Sequence, residues 1–258
     1  MSYWENRLAE AQDAISKKNQ KQIEKQLKKY YASTMKQVIA DFEATYDKLL
    51  ATVEDGREPT PADLYKLDKY WQLQAQTRAR LEKLGYKSMV ALSKAFETNF
   101  FEVYYGLNIE GMKAFTTLDE TMVKQIINQI WVADGKNFSQ RVWDNVNRLR
   151  DTLEEGLLHT VATGKKTTEL KNLLQERFGV SYRRADTLVR TELTHIQTVA
   201  AQKRYQDYGI QYVEVLVDPD TKTCDKCKEL IGKKFPITAT PPLPVHPNER
   251  CSVIPVIE

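Results

Sequence analysis

The sequence predicts a mainly α-helical protein of the α+β class, in which long N-terminal helices precede a small C-terminal β-containing module with a Cys/His loop. Apolar residues recur at helical spacing up to about residue 208, and beyond Gly209 the period changes to that of extended strands. All three cysteines lie in the last 35 residues, in a polar, proline-rich segment between two β-type segments.

The N-terminal half is predicted to form long helices. Apolar positions from about Ala11 to Val53 indicate one long helix or two stacked ones. Glycine and proline interrupt this pattern between residues 56 and 61, where Thr60 and Pro61 are typical of a helix start. We expect the helix that follows to end at Gly85.

Three further helices are predicted in the middle of the chain. A helix capped by Ser88 carries an aromatic stripe up to Tyr104, for which we expect a core-packing role. Asp119 is expected to cap a short helix, and a longer one is predicted from about Ser139 to Ala162.

Two more helices are predicted before the period changes. Thr167 or Thr168 begins a short helix that Gly179 ends, and Ser181 caps a long helix that continues to about Tyr208.

The remaining segments are predicted to be extended, with one strand near residues 210–217 and another near residues 253–257. We place the domain boundary so that residues 1–110 form a helical N-terminal region. Residues 111–258 then form the C-terminal domain, whose β/Cys-His module begins at about residue 210.

The composition is typical of a soluble globular protein, with 41% hydrophobic and 28% charged residues and a mean hydropathy of −0.55. No stretch approaches the roughly 20 apolar residues of a membrane helix. The start of the chain, MSYWENRLAEAQ, lacks the apolar core of a secretory signal. We therefore expect a cytosolic protein without a membrane partner.

A net charge of +3 is too balanced to indicate nucleic acid as the main partner. Any non-specific DNA contact must be local, and lysines of the first predicted helix are the best candidates. A solvated helix face is the favoured interpretation of the same residues. The set comprises Lys17, Lys18, Lys21, Lys25, Lys28 and Lys29.

Cys224 and Cys227 form a Cys-x-x-Cys pair, a spacing that lets two thiolates occupy adjacent corners of a tetrahedron. His246 and Cys251 can supply the other two corners. Zinc suits a sulfur and imidazole donor set, and it would close a loop of roughly 20 residues in a segment too small to be held by packing. The pattern therefore favours a structural zinc site.

Two alternatives to zinc remain open. Hydrogen bonds and packing can hold the loop without a metal, or the Cys-x-x-Cys pair can do redox work, although no βαβ context precedes it. A deaminase-type catalytic zinc is disfavoured because the chain has no His-x-Glu. His159 and His195 lie in predicted helices, where packing or surface roles are more common than metal ligation.

A second polar motif lies on the helix predicted over residues 183–201. Arg190 and Glu192 are two residues apart and do not face each other on a helix. We expect them to hold the following loop through a buried ion pair rather than to act as acid or base. No catalytic triad, phosphate loop or HExxH motif occurs, so the sequence predicts no enzymatic activity.

The ordered motifs resemble the C-terminal module of the phage Mu F-like head-morphogenesis family. The resemblance covers roughly residues 135–258 and depends on the combination of motifs. It departs at Glu249, where many relatives have a cysteine. The matching residues are Arg190, Thr191, Glu192, Asp220, Thr223, Cys224, Cys227, Leu230, Gly232, His246, Pro247, Asn248, Arg250 and Cys251.

This resemblance implies a minor capsid protein of a tailed bacteriophage, incorporated into the procapsid near the portal vertex and acting in head morphogenesis, DNA packaging or ejection. The partners it implies are the portal protein and capsid or scaffold proteins. The alternative is a zinc-supported, nuclease-like enzyme, against which the small number of histidines, three in the chain, counts.

Overall fold

The computed structural model describes residues 3–51, 63, 68–113, 117–162, 167–217, 224–249 and 251–257. The elements follow in the order α1 (Tyr3–Leu50), α2 (Lys69–Gly106), α3 (Glu120–Ile127), α4 (Phe138–Ala162), α5 (Thr167–Asp207), β1 (Tyr212–Val217), α6 (Asp225–Lys228), β2 (Lys234–Pro236), a 3-10 turn (Ile237–Ala239) and β3 (Cys251–Pro255). The predicted fold class is confirmed. None of the described helices combines the length and the apolar character that a membrane span requires.

The first helix is a single one of 48 residues, which begins at Tyr3 and therefore earlier than predicted. Its inner positions follow the helical period that predicted it, and Ile23, Leu27 and Val38 are all buried. The helix start predicted at Thr60 and Pro61 lies outside the described residues.

The predicted break at Gly85 is wrong, because α2 continues without interruption from Lys69 to Gly106. A Cβ atom at position 85 would lie 2.6 Å from Cζ3 of Trp143. The close approach of this ring, and not a helix end, therefore explains the glycine. Ser88, predicted as a cap, is buried within the same helix.

The predicted break between Gly179 and Ser181 is also wrong, because α5 is one helix of 41 residues. Ser181 is buried, and its backbone carbonyl oxygen accepts a 2.8 Å hydrogen bond from the side-chain amide of Asn145. Such packing outweighs the roughly 1 kcal/mol that a glycine costs inside a helix relative to alanine.

Two predicted helix ends are confirmed. Asp119 caps α3, and its Oδ1 accepts a 2.8 Å hydrogen bond from the N–H of Thr121. Gly209 follows α5 with a φ of +80°, a backbone conformation that glycine adopts without strain. The N–H of Ile210 then bonds back to the carbonyl of Tyr205, which ends the helix.

The strands form a three-stranded antiparallel sheet in the order β2-β1-β3. The predicted strands are confirmed as β1 and β3, paired with Val215 opposite Val253 and Val217 opposite Cys251. The sequence did not predict β2, because its three residues are too few to show a period and include Pro236.

The described chain divides into two compact units. One unit consists of residues 1–24, 91–138 and 186–258 and contains the sheet and the Cys/His loop. The other consists of residues 25–90 and 139–185 and is helical where it is described. The predicted domain boundary between residues 110 and 111 stays a prediction.

The unit that contains the sheet has an aromatic core, as expected for the stripe on α2. Phe96, Phe100 and Tyr104 are completely buried. Phe96 contacts Phe138 edge to face, with ring centroids 5.2 Å apart. Within this unit, the buried Leu193 and Ile196 anchor the part of α5 that supports the Cys/His loop.

Candidate metal centre

The first turn of α6 brings Cys224 and Cys227 together. Cys224 precedes the helix with an extended backbone, and its carbonyl oxygen accepts a 3.0 Å hydrogen bond from the N–H of Lys228. Cys227 follows one turn later, so the two Sγ atoms lie 3.2 Å apart. This short helix therefore presents both thiols to one point.

His246 adds a third donor atom at that point. Its Nε2 lies 3.1 Å from Sγ of Cys227, and the donor atoms of Cys224, Cys227 and His246 all lie within 4.8 Å of one another. Cys227 is only 1% exposed. Two thiols and an imidazole are donors that zinc prefers, so this group could hold a metal ion.

The imidazole of His246 is already oriented for ligation. Its Nδ1 lies 3.0 Å from the carbonyl oxygen of Pro247, and a carbonyl can only accept, so Nδ1 carries the proton. In the neutral ring, Nε2 then keeps its lone pair on the side of Cys227. The same hydrogen bond raises the pKa of His246.

The two thiols of the pair differ in acidity. Hydrogen bonds from the backbone N–H and the thiol of Cys227 lower the pKa of Cys224. Burial raises the pKa of Cys227, and the nearby carboxylate of Glu249 raises it further. Cys224 is therefore the first of the two to ionise.

Cys251 lies close to this group without belonging to it. It is in β3, opposite Val217, and is 5% exposed. Burial raises the pKa of its thiol, with smaller contributions from Glu249 and Cys227. Its role as the fourth ligand stays a prediction.

The loop that carries His246 is held by three polar residues of α5. The hydroxyl of Thr191 accepts a 3.3 Å hydrogen bond from the N–H of Asn248. Thr194 donates a 3.3 Å hydrogen bond to the carbonyl oxygen of Glu249, and Nδ1 of His195 lies 2.8 Å from the carbonyl oxygen of Leu243.

The sequence analysis named Thr191 among the motif residues and His195 as a residue of a predicted helix, but it predicted none of these three contacts. Positions 191, 194 and 195 share one face of a helix. This polar stripe on an otherwise apolar face was the sequence signal that could have predicted contacts to the loop. His195 was expected in a packing or surface role and is buried, at 8% exposure.

The buried ion pair expected of Arg190 and Glu192 stays a prediction, and the contacts described for them are with other parts of the fold. Arg190 is partly exposed, and its guanidinium lies 3.2 Å from Oε1 of Glu24 and 2.8 Å from Oδ2 of Asp186. Glu192 is 2% exposed and accepts a 2.9 Å hydrogen bond from Nε1 of Trp131. The described contacts to the loop come from Thr191, Thr194 and His195.

The other motif residues form turns or lie outside the described part. Gly232 has a φ of +70°, and its N–H bonds to the carbonyl of Val215 in the turn before β2. Asn248 also has a positive φ, +64°, directly after Pro247 in the turn that follows His246. Asp220, Thr223 and Arg250 lie outside the described residues.

The six lysines proposed for DNA contact are all exposed along α1. Lys17 pairs with Asp13 at 2.6 Å and Lys18 pairs with Glu102 at 2.8 Å. Exposed positions that alternate with buried ones, such as Ile23, are also typical of a solvated helix face. The DNA contact stays a prediction.

Residues 151–254 match a family model described as Phage Mu protein F like protein. The matched range includes α5, β1, β2 and the three donor residues. No match was found among curated proteins or solved structures. The resemblance seen in the motifs is thus confirmed over these residues.

Proposed function

We propose that this chain, whose residues 151–254 form a Phage Mu protein F-like domain, is a minor head protein of a tailed bacteriophage that binds the portal during head assembly. The family match carries this proposal. In this role the protein is a virion component near the portal vertex, with capsid or scaffold proteins as further neighbours, and acts in DNA packaging or ejection.

The proposed role is structural and not enzymatic. The polar side chains of α5 that lie nearest the loop make contacts within the fold, as Thr194 does with Glu249 and His195 with Leu243. Groups used in this way stabilise one loop conformation and are not presented to a substrate. A rigid, preorganised surface is what a docking module needs.

Zinc is the metal that we propose for the Cys224, Cys227 and His246 group. The described part between β1 and β3 contains one four-residue helix, one three-residue strand and a 3-10 turn. So little regular structure provides little packing, and a metal that joins Cys227 to His246 would hold the segment closed. Its contribution is to folding and not to chemistry on a substrate.

Co-sedimentation with the portal protein of the encoding phage tests the portal association. We expect the full chain to co-sediment with assembled portal at a fixed ratio. A Thr191→Val/Thr194→Val double variant, which loosens the loop, should bind less well. Thr152→Val is the matched control, because within the described part of the chain its hydroxyl bonds to carbonyl oxygens of its own helix. A folded wild-type chain that does not bind portal would refute the association.

A further inference from the structure

The side chain of Glu249 is a buried carboxylate with one oxygen in use and one not. Glu249 is 5% exposed. Its Oε2 accepts hydrogen bonds from the N–H groups of Val245 and His246. Its Oε1 is buried and has no hydrogen-bond partner within the part of the chain that the structure describes. This oxygen is therefore available to bind a metal ion.

Glu249 is joined to the donor group through the hydrogen bond from the N–H of His246 to its Oε2, although its oxygens do not share the 4.8 Å spacing of the donor atoms of Cys224, Cys227 and His246. In addition to burial, it raises the pKa of the Cys227 thiol, and its negative charge contributes to the raised pKa of His246. Among the described basic side chains, none forms an ion pair with Glu249. A buried carboxylate without a cationic partner is strongly unfavourable, and a bound metal ion removes that penalty.

Cys251 is the competing fourth ligand, and its position in the sheet argues against it. Paired residues of an antiparallel sheet share a face, so Cys251 lies on the face of Val217, with Val215 and Val253. Cys251 also lines a groove of about 500 Å³ with residues of α1 and α5, and none of the three donor residues lines that groove.

We propose that Glu249 is the fourth ligand, so that the metal site consists of two thiolates, one imidazole and one carboxylate, the first three supplied by Cys224, Cys227 and His246. Oε1 is the donor, while Oε2 stays bonded to the backbone of the loop. Zinc also binds carboxylate oxygens of Asp and Glu. The backbone N–H groups on Oε2 and the Pro247 carbonyl on Nδ1 of His246 hold both ligands in orientation.

Cobalt substitution of the full-length chain tests this inference, because thiolate-to-cobalt charge-transfer absorption increases with the number of coordinated thiolates. The wild type should show two thiolates, and Cys251→Ser should leave the absorption unchanged. Glu249→Cys should increase it about 1.5-fold, as three thiolates replace two. Glu249→Gln should weaken metal binding by about tenfold or more while the absorption per bound cobalt stays that of two thiolates.

The opposite pattern would overturn the inference. In that case the wild type shows three thiolates, Cys251→Ser loses a third of the absorption, and Glu249→Gln binds as tightly as the wild type. The inference rests on the zinc site proposed above, and a wild-type chain that binds neither cobalt nor zinc refutes both. Neither result bears on portal binding, which is measured separately. Equal helical circular dichroism of all four proteins is the folding control.

Discussion

Nδ1 of His195, in the second half of α5, lies 2.8 Å from the carbonyl oxygen of Leu243, which is 48 residues later in the chain. The same ring stacks on Trp131, with centroids 4.0 Å apart and planes 6° from parallel. One imidazole therefore joins the proline-rich loop to α5 and to the segment after α3. The loop that carries His246 depends on such contacts for its position.

Replacing His195 by alanine should destabilise the protein by about 2–3 kcal/mol, because it removes a buried hydrogen bond and an aromatic stack. The free energy of unfolding from urea titration measures this change. His159→Ala is the control, since this histidine of α4 is exposed and should cost less than His195→Ala. Equal losses in the two variants would contradict the role given to His195.

Two glycines within helices should respond to alanine with opposite signs. Gly85→Ala places a Cβ 2.6 Å from the ring of Trp143 and should destabilise the protein by about 1–3 kcal/mol despite the better helix propensity. Gly179→Ala meets only the flexible end of Arg183, at 3.8 Å, and should stabilise by about 0.5–1 kcal/mol. Thermal unfolding of both variants provides the measurement, and the same sign for both would refute this explanation of Gly85.

Alkylation of the metal-free protein should be fastest at Cys224. Its pKa is lowered by its neighbour Cys227, whereas burial raises the pKa of Cys227 and of Cys251. Since the thiolate is the reactive form, iodoacetamide near neutral pH should modify Cys224 before the other two. Peptide mass spectrometry resolves the three rates. Faster modification of Cys251 would show that the sheet does not protect it.

Metal removal should lower the thermal stability, and metal affinity should fall with decreasing pH. Because the pKa of His246 is raised, protons compete with the metal for its ring at pH values above the usual histidine pKa of about 6.5. Thiols must also lose their protons to bind, so affinity should fall by about tenfold or more from about pH 8 to about pH 6. Competition titrations at several pH values measure the change. For the stability, the measurement is the thermal unfolding midpoint with and without a chelator. A chelator that lowers this midpoint as much in Cys224→Ser as in the wild type would argue against a metal at this site.

The sequence predicted element types better than helix ends. Periodicity predicted α1, α4 and β1, because one face of each is buried in a regular pattern. The breaks predicted at Gly85 and Gly179 were wrong, because a glycine signals either a helix end or a close packing contact. Only the position of Trp143 and the burial around Ser181 distinguish the two.

The candidate site was predicted in part for a similar reason. The spacing of Cys224 and Cys227 is a local signal, because one helical turn sets it. The contacts of Thr194 and His195 join residues that are 55 and 48 positions apart. Such contacts depend on the folded arrangement of α5 and the loop, which motif spacing does not encode.

Quantitative mass spectrometry of purified procapsids and mature particles tests the central claim most directly, with the copies of this chain counted against portal subunits. The proposal predicts a small, fixed number of copies in particles that contain portal and their loss from particles assembled without it. Absence of the chain from both kinds of particle would contradict a role as a minor head protein.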